Sequence, residues 1–358
     1  MRILHVITSL ETGGAENLIS EMVPLLKKKG VEVDVLTFIG GETPFYEKLR
    51  KNSINVYSLA RKGSVYRVGF IFKIFPFLKK YDIIHTHNTA CQLFVALAKM
   101  IIPCKCKLVT TEHSTENRRR SKWWLKPFDK WMYSRYEKII SISEIATKLL
   151  IDYIGYDSKV ITIPNGVNIE KFHSARPNKE YKKEGDVIIS MVAGFRVGKD
   201  QDTLIKALQY LPTNYKVWLL GDGVRRNEID NLISKLSLRE RVRLFGVRSD
   251  VPELLQASDI IVMSSRYEGL SLASIEGMSV NKPFIASDVK GLHQTTIGAG
   301  ILFPYQNDRK LAEEILKLME DSLYYQQVAE ACYKRAQLFD IDTTVNGYLE
   351  VYNNLLLQ

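Results

Sequence analysis

The 358-residue sequence has only four cysteines: Cys91, Cys104, Cys106 and Cys332. Their spacing matches no zinc site, and free thiols in a reducing compartment are the expected state. No run approaches the roughly 18 apolar residues that a membrane-spanning helix needs. Hydrophobic residues nevertheless make up 46% of the chain, enough for sizeable cores. The apolar part of "MRILHVITSLETGG" is too short for a signal peptide and reads at once as a strand. Internal repeats and low-complexity segments are missing. Asp-x-Asp occurs only at Asp200–Asp202 and Asp340–Asp342. The first stands at a helix start, where acids act as caps, and the second just before the last helix. Neither reads as a metal site, so the expectation is no metal and no cofactor.

Acidic residues are scarce in one half only. Residues 1–165 carry 26 Lys+Arg against 15 Asp+Glu, whereas residues 166–358 carry 24 against 25. An anionic partner is therefore to be sought on the first half. Two segments there interleave basic and aromatic residues: "YRVGFIFKIFPFLKKY" from Tyr66 and "RRRSKWWLKPFDKWMYSRYEK" from Arg118. Arg118, Arg119, Arg120, Lys122, Trp123 and Trp124 would suit an anionic membrane surface. Stacking on single-stranded nucleic acid is the weaker reading, because no nucleic-acid fold signature accompanies it. The ordinary alternative is aromatics packed on a sheet beneath solvated basic residues.

Strands and helices alternate along both halves, which argues for parallel sheets covered on both faces. "RILHVITS", "VEVDVLTF", "DIIHTHN", "KLVTTEH" and "KIISISE" are strands of the first half. Gly13, Gly14, His87, Glu112 and His113 then fall at carboxyl ends of strands, where such sheets bind ligands. His85 should lie deeper, as a packed core histidine. The turn Pro164-Asn165-Gly166 precedes a polar stretch, and the alternation restarts at "VIISMVAGF". Domains are expected at 1–165 and 186–358, with a linker at 166–185 and a last helix at about 342–356.

"SSRYEGLSLASIEGMSV" holds two acids, Glu268 and Glu276, eight positions apart. On one continuous helix they would stand about 12 Å and roughly 80° apart, too far to act together on one small group. The strand "DIIVMSS", the Ser at the front of "SLASIEGMSV" and the strand "KPFIASDV" instead make a βαβ unit. Glu268 lies in the loop that runs into the helix amino terminus, a place suited to phosphate. Glu276 lies about 7 Å down the helix, roughly one ribose from a diphosphate bound there.

Arg196 and Lys199 in "FRVGKDQDTLIKAL", with "LLGDG", "VRLFGVRSDVPELLQASD", the E-x7-E segment, "IPNGV" and the Gly-Gly loop, resemble the signature of retaining glycosyltransferases of family four. The likeness covers nearly the whole chain. It implies the GT-B fold: two doubly wound, Rossmann-like α/β domains facing a cleft, with the C-terminal helix able to return to the N-terminal domain. The N-terminal domain would bind acceptor and the C-terminal domain the nucleotide sugar. The resemblance implies that Glu276 holds the ribose and Glu268 the donor sugar. Backbone N–H groups of Gly269, Leu270 and Ser271 would take the diphosphate. Arg196 and Lys199 would neutralise the leaving phosphate without a metal. The family's Arg often stands five residues before the Lys; here that place is Gly194, and Arg196 stands three before. Val242, Arg243 and Leu244 match the strand that frames the base. Gly221, in "GDG", either lets backbone approach the nucleotide or makes a tight turn. Gly13 and Gly14 are assigned to the donor, His113 to the reacting sugar, and His87 and Glu112 to the acceptor.

The implied activity is α-retaining transfer from a nucleotide sugar, with UDP-sugar expected, to a hydroxyl of a saccharide or lipid-linked saccharide. It would take place in the cytoplasm or peripherally on the inner face of the membrane. A nucleotide-sugar epimerase and a non-catalytic nucleotide-sugar-binding protein are the alternatives.

Overall fold

A computed structural model describes the chain apart from Thr12, residues 114–118, 120–121 and 156–157, Gly269 and Gln358. It divides into two compact units, Met1–Gly166 with Ile341–Gln358, and Val167–Asp340.

The first unit is built on seven strands: β1 (Arg2–Ile7), β2 (Glu32–Ile39), β3 (Val56–Ala60), β4 (Ile83–Thr86), β5 (Lys107–Glu112), β6 (Lys138–Ser141) and β7 (Val160–Thr162). They pair in the order β3-β2-β1-β4-β5-β6-β7, all parallel. Central strands are apolar runs because helices cover both faces: β1 is buried at every position after Arg2, and all of β4 is buried. Strand order reverses between β1 and β4, so the crevice for a ligand opens at their carboxyl ends.

The second unit carries β8 (Val187–Val192), β9 (Tyr215–Leu220), β10 (Val242–Gly246), β11 (Ile260–Met263), β12 (Phe284–Ser287) and β13 (Ile301–Phe303). Their order is β10-β9-β8-β11-β12-β13, again parallel, with the reversal between β8 and β11. The helix Leu272–Ser279 packs so closely on β11 that a Cβ on Gly277 would stand 2.7 Å from the Ile261 side chain. Ile261 buries against that glycine and the helix is held against the strand end.

One segment differs from the expected boundaries, and the last helix makes the return to the first unit that was expected of it. Residues 166–185, read as a linker, include the helix Ile169–His173, capped by the Asn168 side chain on Lys171 N–H at 3.0 Å. Its Ile169 and Phe172 join the core of the second unit. The last helix, Ile341–Leu356, belongs to the first unit. It buries the stripe Ile341, Thr344, Val345, Tyr348, Val351, Tyr352 and Leu355, one face at helical spacing. Tyr352 OH meets His85 Nδ1 at 2.5 Å, Tyr348 OH meets Thr111 Oγ1 at 2.9 Å, and Thr344 Oγ1 donates to the Pro164 carbonyl at 2.8 Å. Buried polar groups of β4 and β5 thus find their partners on this helix.

Candidate functional site

In the second unit the carboxyl ends of β8 and β11 lead into two loops that meet. Lys199 forms an isolated antiparallel bridge with Ser265, and Asp200 N–H donates to the Ser264 carbonyl at 3.0 Å. Lys199 Nζ is ion-paired with Glu268, and Ser265 Oγ donates to the same carboxylate at 3.0 Å. Both charged side chains are largely buried, 16% and 14% exposed. The pair is therefore a preorganised charge site at the reversal point of the sheet.

The helix Leu272–Ser279 starts three residues after the Glu268-Gly269 step, with Ser271 as its cap. The Ser271 side chain accepts from Ser274 N–H at 3.4 Å, and the N–H groups that precede Ser274 on this helix have no intrahelical acceptor, as at any helix start. Leu270 and Ser271 thus stand where an anion would be favoured. Glu276 lies on this helix, half-buried. Gly269, assigned to the same loop, lies outside the described residues.

Arg196 is exposed on the loop after β8 and has no ion-pair partner among the described residues. Two neighbours escaped the sequence reading. Arg225 Nη1 donates to the Lys199 carbonyl at 3.1 Å while its other nitrogens hold Asp202 and Glu228, so it braces the lysine loop. Arg266 is a second exposed cation, and its N–H donates to the Gly198 carbonyl at 2.8 Å. Its position two residues before Glu268 was the available signal. Asp200 serves as the cap of the helix Gln201–Ala207, accepting from Thr203 N–H at 3.3 Å, in keeping with a structural role.

The glycines of "GDG" have an internal reason to exist. Gly221 and Gly223 have φ of 139° and 156°, and a Cβ on them would lie 2.1 Å from the Ala193 carbonyl and 2.4 Å from that of Phe195. This backbone packs on backbone, which supports the tight turn. Val242, Arg243 and Leu244 do not reach the carboxyl end of β10, which is Gly246. Val242 is buried in the core, and the Arg243 guanidinium stacks 4.0 Å from the Tyr181 ring centroid. Residues one turn of pleat further on, Gly246 to Arg248, stand closer to that end than the three assigned to the base.

In the first unit the carboxyl ends of β1, β4 and β5 gather histidines. His5 Nδ1 lies 2.8 Å from His87 Nε2, and His87 Nδ1 lies 2.9 Å from His113 Nε2. His85 is buried as expected and bonded at both nitrogens, to Tyr352 and Thr111. Burial holds the His5 imidazole down at about 3 and His113 at about 4, and keeps His85 and His87 well below their ordinary value. The direct acceptor contact expected of His87 is ruled out in this arrangement, because it is fully buried with both nitrogens occupied. Glu112 is also buried and accepts from Tyr133 OH at 2.5 Å. Its carboxylate is tied into the core. Gly13 precedes the helix Gly14–Lys28 in extended conformation. A Cβ there would meet only the Glu16 carboxyl group, and one on Gly14 would meet nothing within 4 Å.

Among the described residues, His5, His85 and His87 are the group whose ligand atoms could converge on a metal, all within 4.8 Å. Their chemistry does not fit one. His5 and His87 bond each other ring nitrogen to ring nitrogen at 2.8 Å, and His85 stacks on His87 at a centroid distance of 4.4 Å with its own nitrogens turned to Tyr352 and Thr111, so the lone pairs are spent on neighbours instead of converging on one point. Five of the six nitrogens are already hydrogen-bonded, and His5 Nε2 is the one left over.

The basic-aromatic segment is only partly a free surface. Trp123 is 84% exposed and Trp124 59%, with Lys122 Nζ 5.8 Å from the Trp124 ring. Arg119, by contrast, is ion-paired with the buried Asp129 and faces inward. Arg118 and Arg120 lie outside the described residues. No described helix is long and apolar enough to cross a membrane.

Comparison with known proteins agrees with this architecture. The sequence matches the family model Glycosyltransferase Family 4 over residues 12–171 and Glycosyl transferases group 1 over residues 174–337. It is 25% identical to the UDP-Gal:alpha-D-GlcNAc-diphosphoundecaprenol alpha-1,3-galactosyltransferase of Escherichia coli, over 81% of this chain and 80% of that one. With the O-antigen biosynthesis glycosyltransferase WclY of Escherichia coli it shares 23% identity over 99% of both chains. The crystal structure of Anabaena HepE in complex with UDP superposes with a TM-score of 0.85 at 21% identity, over 99% of this chain and 100% of that one.

Proposed function

The chain belongs to the glycosyltransferases of family four and group 1, with the GT-B fold, and from that premise we propose that it carries out α-retaining, metal-independent transfer from a UDP-sugar to a hydroxyl of a saccharide or lipid-linked saccharide. The observation that carries the proposal is the Lys199–Glu268 pair beside the amino terminus of the helix Leu272–Ser279, at the β8/β11 reversal. A diphosphate taken up there meets backbone N–H groups at Leu270 and Ser271 and the positive charges of Lys199 and Arg196. Charge builds on the departing phosphate as the glycosyl bond breaks, and Lys199 is already fixed where it is needed. Glu276, further along the helix, accepts from the ribose hydroxyls, and Glu268 orients the sugar.

The first unit supplies the acceptor side. Gly13 and Gly14 face the donor in this reading: a Cβ on Gly13 would meet the flexible end of Glu16 and one on Gly14 nothing within 4 Å, which supports close approach of a ligand at this helix start. His113 offers a shielded ring nitrogen at the end of β5. The exposed Trp123 and Trp124 with Lys122 support peripheral contact with an anionic membrane, where a lipid-linked acceptor would be found. The relative named as acting on a diphosphoundecaprenol-linked sugar supports an acceptor of that class.

The test is turnover of UDP-, GDP- and ADP-sugars in EDTA, with and without saccharide acceptors. Transfer or slow hydrolysis of a UDP-sugar, with the α-anomer in the product, is expected. Interconversion of donor alone to an epimer would assign the protein to epimerases. Binding with no turnover across all donors and acceptors would leave a nucleotide-sugar-binding protein.

A further inference from the structure

Cys104 and Cys106 lie at the amino-terminal end of the first sheet, on the strap that joins the helix Thr89–Ile101 to β5. Their Sγ atoms are 3.2 Å apart. A disulfide needs about 2.05 Å, so about 1 Å of movement closes the bond. Residues 103–106 carry no regular secondary structure and can give that much. The two thiols differ in access: Cys104 is half-buried and Cys106 buried. Burial first, and then the hydrogen bond to Cys104, push the Cys106 thiol up to about 12. The charged groups that act on it, Lys99 and Glu137, are ion-paired with each other at 2.9 Å. Cys106 therefore keeps its proton and can donate S–H to the Cys104 sulfur.

Both cysteines line a cavity of about 640 Å³. Its charged lining is Arg2, Lys79, Lys105 and Lys107 against Asp82. Arg2 is ion-paired with Asp82 at 3.4 Å, which leaves the three lysines unmatched within the wall. The volume suits a small molecule, and the charge suits one that carries carboxylates. The remaining cysteines lack these features. Cys91 and Cys332 are fully buried, and burial pushes both thiols up, that of Cys332 to about 12. Neither has a second thiol at hydrogen-bond distance among the described residues.

We propose that Cys104 and Cys106 are a reversible redox-modification site, oxidised to a disulfide by exchange with a small anionic disulfide that enters this cavity. Cys104, the more accessible thiol, attacks as its thiolate. It forms a mixed disulfide and expels one small thiolate. Cys106 then gives its proton to that departing thiolate and attacks the Cys104 sulfur. The second small thiolate leaves and takes up the proton that Cys104 lost. Two protein thiols and one small disulfide thus become one protein disulfide and two small thiols. The protein is oxidised by two electrons, and the small disulfide is reduced by two. In a reducing compartment the pair stays open, and a rise in the ratio of disulfide to thiol closes it.

The experiment is mass spectrometry of the reduced protein after incubation with oxidised glutathione, with the remaining thiols then alkylated in denaturant. Loss of two hydrogens is expected, with Cys104 and Cys106 shielded from alkylation and Cys91 and Cys332 alkylated. Dithiothreitol should reverse the change. Cys106→Ser should stop at one glutathione adduct on Cys104, and Cys104→Ser should not react. At low salt, oxidised glutathione should react about tenfold faster than the cationic disulfide cystamine, a difference that high salt removes. The proposal is overturned if Cys104 and Cys106 remain open to alkylation, or if glutathione stays on wild-type Cys104 unresolved. Reaction of Cys104→Ser at Cys106, or oxidation of Cys91 and Cys332 at the same rate, overturns it equally. Equal rates for the two small disulfides refute the anionic class of the reactant. If a serine variant fails to fold, the wild-type mass and alkylation pattern decide by themselves.

Discussion

Lowering the pH from 7.5 to 5.5 should strongly destabilise the first unit. Four of the six histidines, His5, His85, His87 and His113, have their protonation opposed by burial in the folded state. In the unfolded chain each titrates near 6.5, so below that pH the unfolded state takes up protons that the folded state refuses. The stabilising effect is fully present above about 6.5 and is lost as pH falls toward about 4 for His113 and about 3 for His5. One such group costs about 1.4 kcal/mol per pH unit once past 6.5, or about 1.3 kcal/mol over this interval. Four of them cost about 5 kcal/mol. At this domain size each kcal/mol moves Tm by about 2–4 °C, so the shift is on the order of 10–20 °C. Exposed carboxylates barely titrate over the same range. Scanning calorimetry at the two pH values measures the shift. A change below about 3 °C would mean that the histidines are not buried neutral.

Three further outcomes follow from the second unit and the aromatic surface. Lys199→Met leaves the Glu268 carboxylate, 14% exposed, with the Ser265 hydroxyl still donating to it; it should cost about 3 kcal/mol in urea denaturation and about 100- to 1000-fold in turnover. Combining it with Glu268→Gln should restore stability but not turnover, and simple additivity of the two in stability would deny the ion pair. Glu276→Ala should weaken UDP about 10- to 100-fold in calorimetry, the loss of a charge-assisted acceptor; unchanged affinity in the folded variant would remove Glu276 from the ribose. Wild type should sediment with anionic vesicles and not neutral ones, and Lys122→Gln with Trp123→Ser and Trp124→Ser should release it, each basic residue near a membrane being worth about 1 kcal/mol. Wild type left in solution at low salt would make this a solvated face.

The strands were legible because a parallel sheet covered on both faces demands apolar runs, and "DIIVMSS" or "DIIHTHN" can satisfy little else. Once strands are known, so are their carboxyl ends, and Lys199, Glu268 and His113 follow from position. Relations across the fold were less accessible. The stripe Tyr348–Tyr352 shows an amphipathic helix but not that His85 and Thr111 supply its polar partners. His87 stands at a strand end like a ligand-binding residue, yet neighbours far apart in sequence, His5 and His113, occupy both its nitrogens. Arg119 sits among basic residues, and only the fold brings the buried Asp129 to it. Val242, Arg243 and Leu244 were read as belonging to one strand, and they do open β10, but the sequence does not mark that the strand runs on to Gly246.

The most direct test of the central claim is a crystal structure of the protein with UDP. The ribose hydroxyls should lie within hydrogen-bond distance of the Glu276 carboxylate. The diphosphate should rest on the backbone N–H groups of Leu270 and Ser271, with Lys199 turned to it. UDP bound elsewhere, or bound here with Glu276 and Lys199 directed away from it, would contradict the assignment of the β8/β11 reversal as the donor site.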